Sequence, residues 1–330
     1  MSFSYDTKKE MCSLKHSSKS AIKAECYAML LFGKHFNKNN ISFQTENPCI
    51  ASHYADLLAA ATGVYVDIKK PLSRNNSHKP AITVSIPDLA QREQVLNFFG
   101  HDTDFVCDNI SLKDTINENY TNNIDYDISK IINIKNISSE TEPDFIRGAF
   151  LSCGTISDPK KEYHLEICIG NSILCHIIIE MLKKCSLPAK LIIRKGQYVI
   201  YYKESEQIED FLTLTGAVNA SMSIMNIKIL KDIRNRANRI TNCETANIEK
   251  TVAASSEQVK AIKYIKNHLG LDSLPSQLRE IAQLRLDNPE MSLRELGESL
   301  PEPLSRSGVN HRLKRIYEYY QSAIDKNKKV

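Results

Sequence analysis

The sequence predicts an α+β fold in which a duplicated helix-and-strand unit is followed by an all-α domain. Three observations carry that reading. One order of elements, helix–strand–helix–strand–strand–helix, occurs twice at an offset of about 120 residues. The chain turns helical from about residue 226. Its positive charge also gathers there: residues 226–330 hold 19 Lys and Arg against 13 Asp and Glu, the preceding residues 24 against 26. The 330 residues suffice for two domains and a third small one.

The first repeat spans about residues 20–100. "AIKAECYAMLLFGKHF" reads as a helix from Ala21 to Phe36, "ISFQTE" as a strand, and "PCIASHYADLLAAATG" as a helix closed by Gly63. The strand-like runs "VYVDIKK" and "AITVSIP" flank a turn-rich "PLSRNNSHKP", and "DLAQREQVLNFFG" gives a helix ending at Gly100. A linker over 101–142, rich in Asn, Asp and Ile, is expected to hold a short helix near Ser129. The second repeat, 143–216, runs "DFIRGAFLSCG", "YHLEICIG", "SILCHIIIEMLKKCSLP", "AKLIIRKG", "QYVIYYKE" and "SEQIEDFLTLTG". Each half has too few strands to bury a core alone, so the two are expected to share an interface through their small-residue helices.

Residues 226–270 read as a helical basic linker. In "KILKDIRNRANRI", Ile229, Leu230, Ile233, Ala237 and Ile240 share one face, and Lys228, Lys231, Arg234, Arg236 and Arg239 take the opposite arc, which suits a helix tracking phosphates. Asn242, Glu244 and Asn247 of "TNCETANIEK" are expected to anchor a bend between helices. In 271–330, one helix carries Leu278, Ile281, Ala282 and Leu284, with Ser273 or Ser276 as its cap. A second opens with Ser292 and Glu295 at capping-box spacing. The third, "RSGVNHRLKRIYEYY", places Val309, Leu313, Ile316 and Tyr320 on one face and Ser307, Asn310, His311, Lys314 and Arg315 on the other or at its edge. Arg306 and Arg312 flank the polar face. This is a helix-turn-helix pattern whose last helix offers amide, hydroxyl and basic groups suited to base edges and phosphates of double-stranded DNA.

Other functions find little support. No segment is apolar for long enough to span a bilayer, and "MSFSYDTKKEMCSLKHSSKSA" lacks an apolar signal core, so no membrane partner and a cytoplasmic, nucleoid-associated protein are expected. Nine scattered cysteines form no CxxC pair and read as buried free thiols, with no metal or other cofactor implied. Metal-assisted phosphodiester cleavage needs paired carboxylates. At the end of the packing helices stand Gly33 and Cys153, and Asp158 reads as a turn cap before Pro159.

The chain resembles the WhiA family of transcriptional regulators of Gram-positive bacteria. The resemblance rests on "IRGAFLSCGTISDPKKEYHLEI", "RNRANRITNCETANIEKT", "LDSLPSQLREIAQLRLDNPEMSLRELGESL" and "LSRSGVNHRLKRI", and more loosely on "SFSYDTKKE" and "KAECYAMLLFG". It implies a LAGLIDADG homing-endonuclease-like domain over 1–225, degenerate in its catalytic acids, joined to a helix-turn-helix similar to sigma-factor region 4. It also implies regulation of sporulation and cell-division genes, with RNA polymerase, a sigma factor or a co-regulator as candidate protein partners. Lys34 and His35 depart from the small residues usual in the first packing helix. The expected function is a sequence-specific DNA-binding regulator without enzymatic activity. The alternatives are a metal-dependent nuclease using acids outside the packing helices and a protein-interaction scaffold.

Overall fold

The computed structural model describes residues 2–70, 81–102, 104–108 and 132–327. The connection 71–80 and the linker helix expected near Ser129 lie outside them. The chain divides into two compact units, Met1–Lys231 and Asp232–Val330.

The first unit opens with a helix the sequence reading missed, α1 (Phe3–Cys12), capped by Ser2 Oγ, which accepts from Tyr5 N at 3.3 Å. Two parallel sets of elements follow. The first is α2 (Lys19–Leu31), β1 (His35–Asn37), β2 (Ile41–Thr45), α3 (Pro48–Thr62), β3 (Asp67–Lys69), β4 (Ile82–Ser85) and α4 (Leu89–Phe99). A further short strand, β5 (Val106–Asp108), adds to its sheet. The second is α5 (Glu142–Cys153), β6 (Gly154–Ile156), β7 (Leu165–Ile169), α6 (Ser172–Lys184), β8 (Lys190–Arg194), β9 (Gln197–Tyr202) and α7 (Ser205–Leu214).

Each repeat therefore holds one strand more than expected, β1 and β6. The expected helix to Phe36 ends at Leu31, because His35 and Phe36 pair with Ser42 and Ile41 in a hairpin. Asn37 Oδ1 fixes its turn, accepting from Asn39 N at 2.9 Å and Asn40 N at 2.8 Å. The duplication is visible in the sheets, whose orders are β3-β4-β2-β1-β5 and β6-β7-β9-β8, so equivalent strands are neighbours in both. Phe43 faces Val84 in one, and Ile167 faces Ile200 in the other, all buried.

A single apolar core joins the halves through α2 and α5. Their close approach centres on Gly148, where an added Cβ would lie 2.6 Å from Glu25 O and 2.8 Å from Ala28 Cβ. Lys34 and His35 fall outside α2, so their bulk does not separate the helices.

The long helix α8 (Val218–His268) is continuous, so the expected bend at Asn242, Glu244 and Asn247 is absent. No Gly or Pro interrupts the stretch, and Thr251 Oγ1 donates back to Asn247 O at 2.9 Å within the helix. In the second unit follow α9 (Ser276–Asp287), α10 (Leu293–Glu298) and α11 (Arg306–Asn327). Its own core comprises Ile262, Ile265, Leu278, Ile281, Leu296, Val309, Leu313 and Ile316, among others. Pro275, not Ser273 or Ser276, caps α9, with no side-chain hydrogen bond.

Candidate nucleic-acid interface

The second unit sets α11 with one face down and one face out. Ser292 and Glu295 form the expected capping box: Glu295 N donates to Ser292 Oγ at 3.3 Å, and Ser292 N donates to Glu295 Oε2 at 2.7 Å. The turn into α11 is tight. Leu304 N donates to Gly297 O at 3.0 Å, and a Cβ at Gly297 would stand 2.2 Å from Leu304 O. Ser305 Oγ then accepts from Gly308 N at 3.2 Å, opening α11 on a side-chain cap.

Val309, Leu313 and Ile316 are buried, whereas Tyr320 is only half-buried. Arg306, Ser307, Asn310, His311, Lys314 and Arg315 are exposed. They lie on the arc that the buried positions leave open. Ser307 Oγ meets Ser305 Oγ at 2.9 Å. Arg312 differs from the rest. It is half-buried, and its Nη1 donates to Gln277 O of α9 at 3.3 Å, so it braces the unit before it can address a phosphate.

One structural residue escaped the sequence reading. Arg285 is 1% exposed, and its Nη1 donates to Met291 O at 2.6 Å, holding the α9–α10 connection. Burial pushes its guanidinium pKa down.

The basic stretch of α8 is open on both faces. Ile229, Leu230, Ile233 and Ile240 do not form a buried face; each is more than half exposed. Two of the five expected phosphate contacts are engaged within the first unit. Lys228 Nζ pairs with Glu206 at 2.7 Å. Lys231 Nζ donates to Pro159 O at 2.7 Å and lies 4.4 Å from the centre of the Tyr163 ring. Arg234, Arg236 and Arg239 are exposed.

Of the residues at the ends of the packing helices, Gly33 follows the cap of α2, and Cys153 closes α5 with its Sγ donating to Ala149 O at 3.2 Å. Burial pushes the Cys153 thiol up to about 12, only partly opposed by the nearby Lys8 ammonium. Asp158 caps a turn, accepting from Lys160 N at 2.9 Å. All nine cysteines are free, although only three are fully buried and Cys243 is exposed.

The charged centre of the first unit sits deeper, at Glu25 on α2. Its carboxylate has no exposed surface. His16 Nε2 and His53 Nε2 each donate to it at 2.7 Å, and Arg147 of α5 donates from Nε at 2.9 Å and from Nη2 at 2.5 Å. Arg147 also reaches Asp144 at 2.5 Å. These donors hold the Glu25 carboxyl far below the usual carboxylate range, against the opposing effect of burial. His16, Glu25 and His53 bring their ligand atoms within 4.8 Å of one another, a spacing that a cation could use. The carboxylate already accepts four hydrogen bonds, and the Arg147 charge beside it opposes a second cation.

The chain thus joins a LAGLIDADG-like α+β domain to a helix-turn-helix domain. A model of the WhiA LAGLIDADG-like domain matches residues 143–234, and a model of the WhiA C-terminal HTH domain matches residues 237–320. A probable cell division protein WhiA of Ruminiclostridium cellulolyticum is 37% identical over 324 residues, 96% of both chains. One of Clostridium botulinum is 39% identical over 323 residues, again 96% of both. The crystal structure of full-length WhiA from Thermotoga maritima shares the fold at a TM-score of 0.54 and 22% identity, covering 98% of this chain and 99% of that one. The chain belongs to the WhiA family. Among the described residues, no helix is long and apolar enough to cross a membrane.

Proposed function

We propose that this chain is a sequence-specific double-stranded DNA-binding regulator of cell-division and sporulation genes, without nuclease activity. One observation carries the reading: the outward face of α11 bears Ser307, Asn310, His311, Lys314 and Arg315, while Val309, Leu313 and Ile316 seat the same helix in a helix-turn-helix core. Asn310 can donate and accept in one plane, as adenine requires, and Lys314 or His311 can address guanine or a phosphate. Arg306 and Arg315 are exposed and can meet phosphates, and Arg234, Arg236 and Arg239 of α8 offer three more exposed cations. The names of the relatives support a role in cell division.

Absence of cleavage is supported by Gly33 and Cys153 at the helix ends. It is supported also by the Arg147 ion pair and the histidine hydrogen bonds that occupy Glu25. A genome-wide binding map of the tagged protein tests the regulatory reading: discrete peaks sharing a motif near cell-division genes are expected, and uniform coverage would overturn it. Incubation with supercoiled plasmid and Mg²⁺ or Mn²⁺ tests the enzymatic part. No metal-dependent nicking is expected, and nicking that tracks the protein through repurification would refute it.

A further inference from the structure

Every residue of α8 from 232 to 254 is exposed. The stretch is about 35 Å long at the helical rise per residue. Of its 23 residues, 13 are Asn, Asp, Thr, Cys, Ile or Val, which favour helix only weakly. A helix of that make-up draws most of its stability from packing an apolar face. It has such a face. Ile229, Ile233, Ile240, Ile248 and Val252 are each more than half exposed, and with Ala237 they lie within an arc of about 140° on α8. Further along the same arc, Ile262 and Ile265 are buried in the second unit's core. The exposed row therefore continues a face that is covered elsewhere on the same helix.

The row has mirror order. Ile229, Ile233, Ala237 and Ile240 follow one another at intervals of four, four and three residues; Thr241, Glu244, Ile248 and Val252 follow at three, four and four. Two α8 helices laid antiparallel about the Ile240–Thr241 peptide therefore set Ile233 against Ile248 and Ile229 against Val252, each twice, and bring the two Ile240 side chains together at the centre. A partner of different sequence would need no such order. The charges agree with this register. A two-fold axis brings matching flanks of the two helices together, which places Asp232 of one copy within one residue of Lys250 of the other, again twice. Glu244, the only charge in the row, falls opposite Ala237, the smallest side chain in it, and has room to reach the rim. An apolar row offers DNA phosphates nothing to pair with.

We infer that α8 is a self-association helix: a second copy of this chain covers the row, the two helices pairing antiparallel along residues 229–252 with Ile240 at the two-fold centre. The pairing does not depend on how the second unit meets DNA, and it supplies the apolar cover that the exposed stretch lacks.

The test uses the full chain without DNA. Sedimentation equilibrium from about 1 to about 100 µM protein should show a monomer–dimer equilibrium in the micromolar range, and Ile240→Asp, which puts a charge at the centre, should weaken it about tenfold or more. Asp232→Lys and Lys250→Asp should each weaken it a few-fold, and the two together should restore it. Cysteines fix the register, in a chain that carries Cys243→Ser. Under mild oxidation Ile240→Cys should cross-link to its own copy. Ile233→Cys should not, its two copies lying roughly 22 Å apart along the axis, but it should cross-link to an Ile248→Cys chain mixed with it. All these positions are exposed, so melting curves should match the wild type. A monomer throughout the range would overturn the proposal. So would self-linking of Ile233→Cys as efficient as that of Ile240→Cys, which would mean a parallel pair. A monomeric chain in which Ile240→Asp lowers DNA affinity would also overturn it and give the row to DNA.

Discussion

At the contact between α2 and α5, charged groups turn inward; on α11 they turn outward. Glu25, His16, His53 and Arg147 satisfy one another beneath the surface. Asn310, His311, Lys314 and Arg315 stand in solvent over an apolar seat. The residue types are similar, but what they can do differs. A buried carboxylate that accepts four hydrogen bonds, two of them from Arg147 on the facing helix, fixes two helices together. An exposed amide and its neighbouring cations stabilise nothing by themselves and are open to a partner. In the proposed function the first unit serves architecture, and recognition falls to the second unit.

The largest expected effect comes from breaking the inward cluster. Glu25→Ala leaves Arg147 buried without its main partner and should cost about 3–5 kcal/mol in chemical denaturation. The same cluster sets an acid limit. The folded-state pKa of Glu25 is depressed, so its contribution is fully present above the unfolded carboxylate value of about 4.3 and is lost as pH falls below it. Denaturation midpoints from pH 7 to pH 3 should fall more steeply for the wild type than for Glu25→Gln. Parallel curves would show that Glu25 is not ionised in the fold.

Next is Gly148→Ala, which drives a methyl group to within 2.6 Å of Glu25 O and should cost about 1–3 kcal/mol by overpacking. An unchanged melting temperature would mean that α2 and α5 sit farther apart than described here. A smaller effect is expected at α8. Replacing Arg234, Arg236 and Arg239 together by alanine should lower the salt-dependence slope of DNA binding by about three, if each meets one phosphate. Lys228→Ala and Lys231→Ala should leave that slope unchanged, because both side chains are occupied by Glu206 and by Pro159 and Tyr163. Equal effects from the two sets would place this helix's charge on DNA as a whole.

The outward region was the more legible of the two in the sequence. Val309, Leu313 and Ile316 repeat at helical spacing, and Ser292 with Glu295 announces a helix start, so local pattern alone located the helix-turn-helix. The duplicated order was legible for the same reason, except for β1 and β6, whose three residues are too short to show alternation. The inward cluster was not legible. Positions 16, 25, 53 and 147 come from a loop and three helices, and only the fold brings them together. The charged start of α1 hid a helix, although Phe3, Thr7 and Met11 recur at intervals of four residues and the last two are buried. In α8, Asn242, Glu244 and Asn247 suggested a bend, yet no residue there forbids helix.

The claim that recognition resides on α11 is tested most directly by one ratio: affinity for a mapped binding site over affinity for scrambled DNA, for wild type and Asn310→Ala, at one salt concentration. The variant's folding is checked first by its melting curve, which the exposed position should leave unchanged. The expected result is a loss of about 1–3 kcal/mol on the mapped site, a relaxed preference at one base pair, and little change on scrambled DNA. An unchanged ratio, with both affinities as in the wild type, would contradict it and move sequence recognition away from this helix.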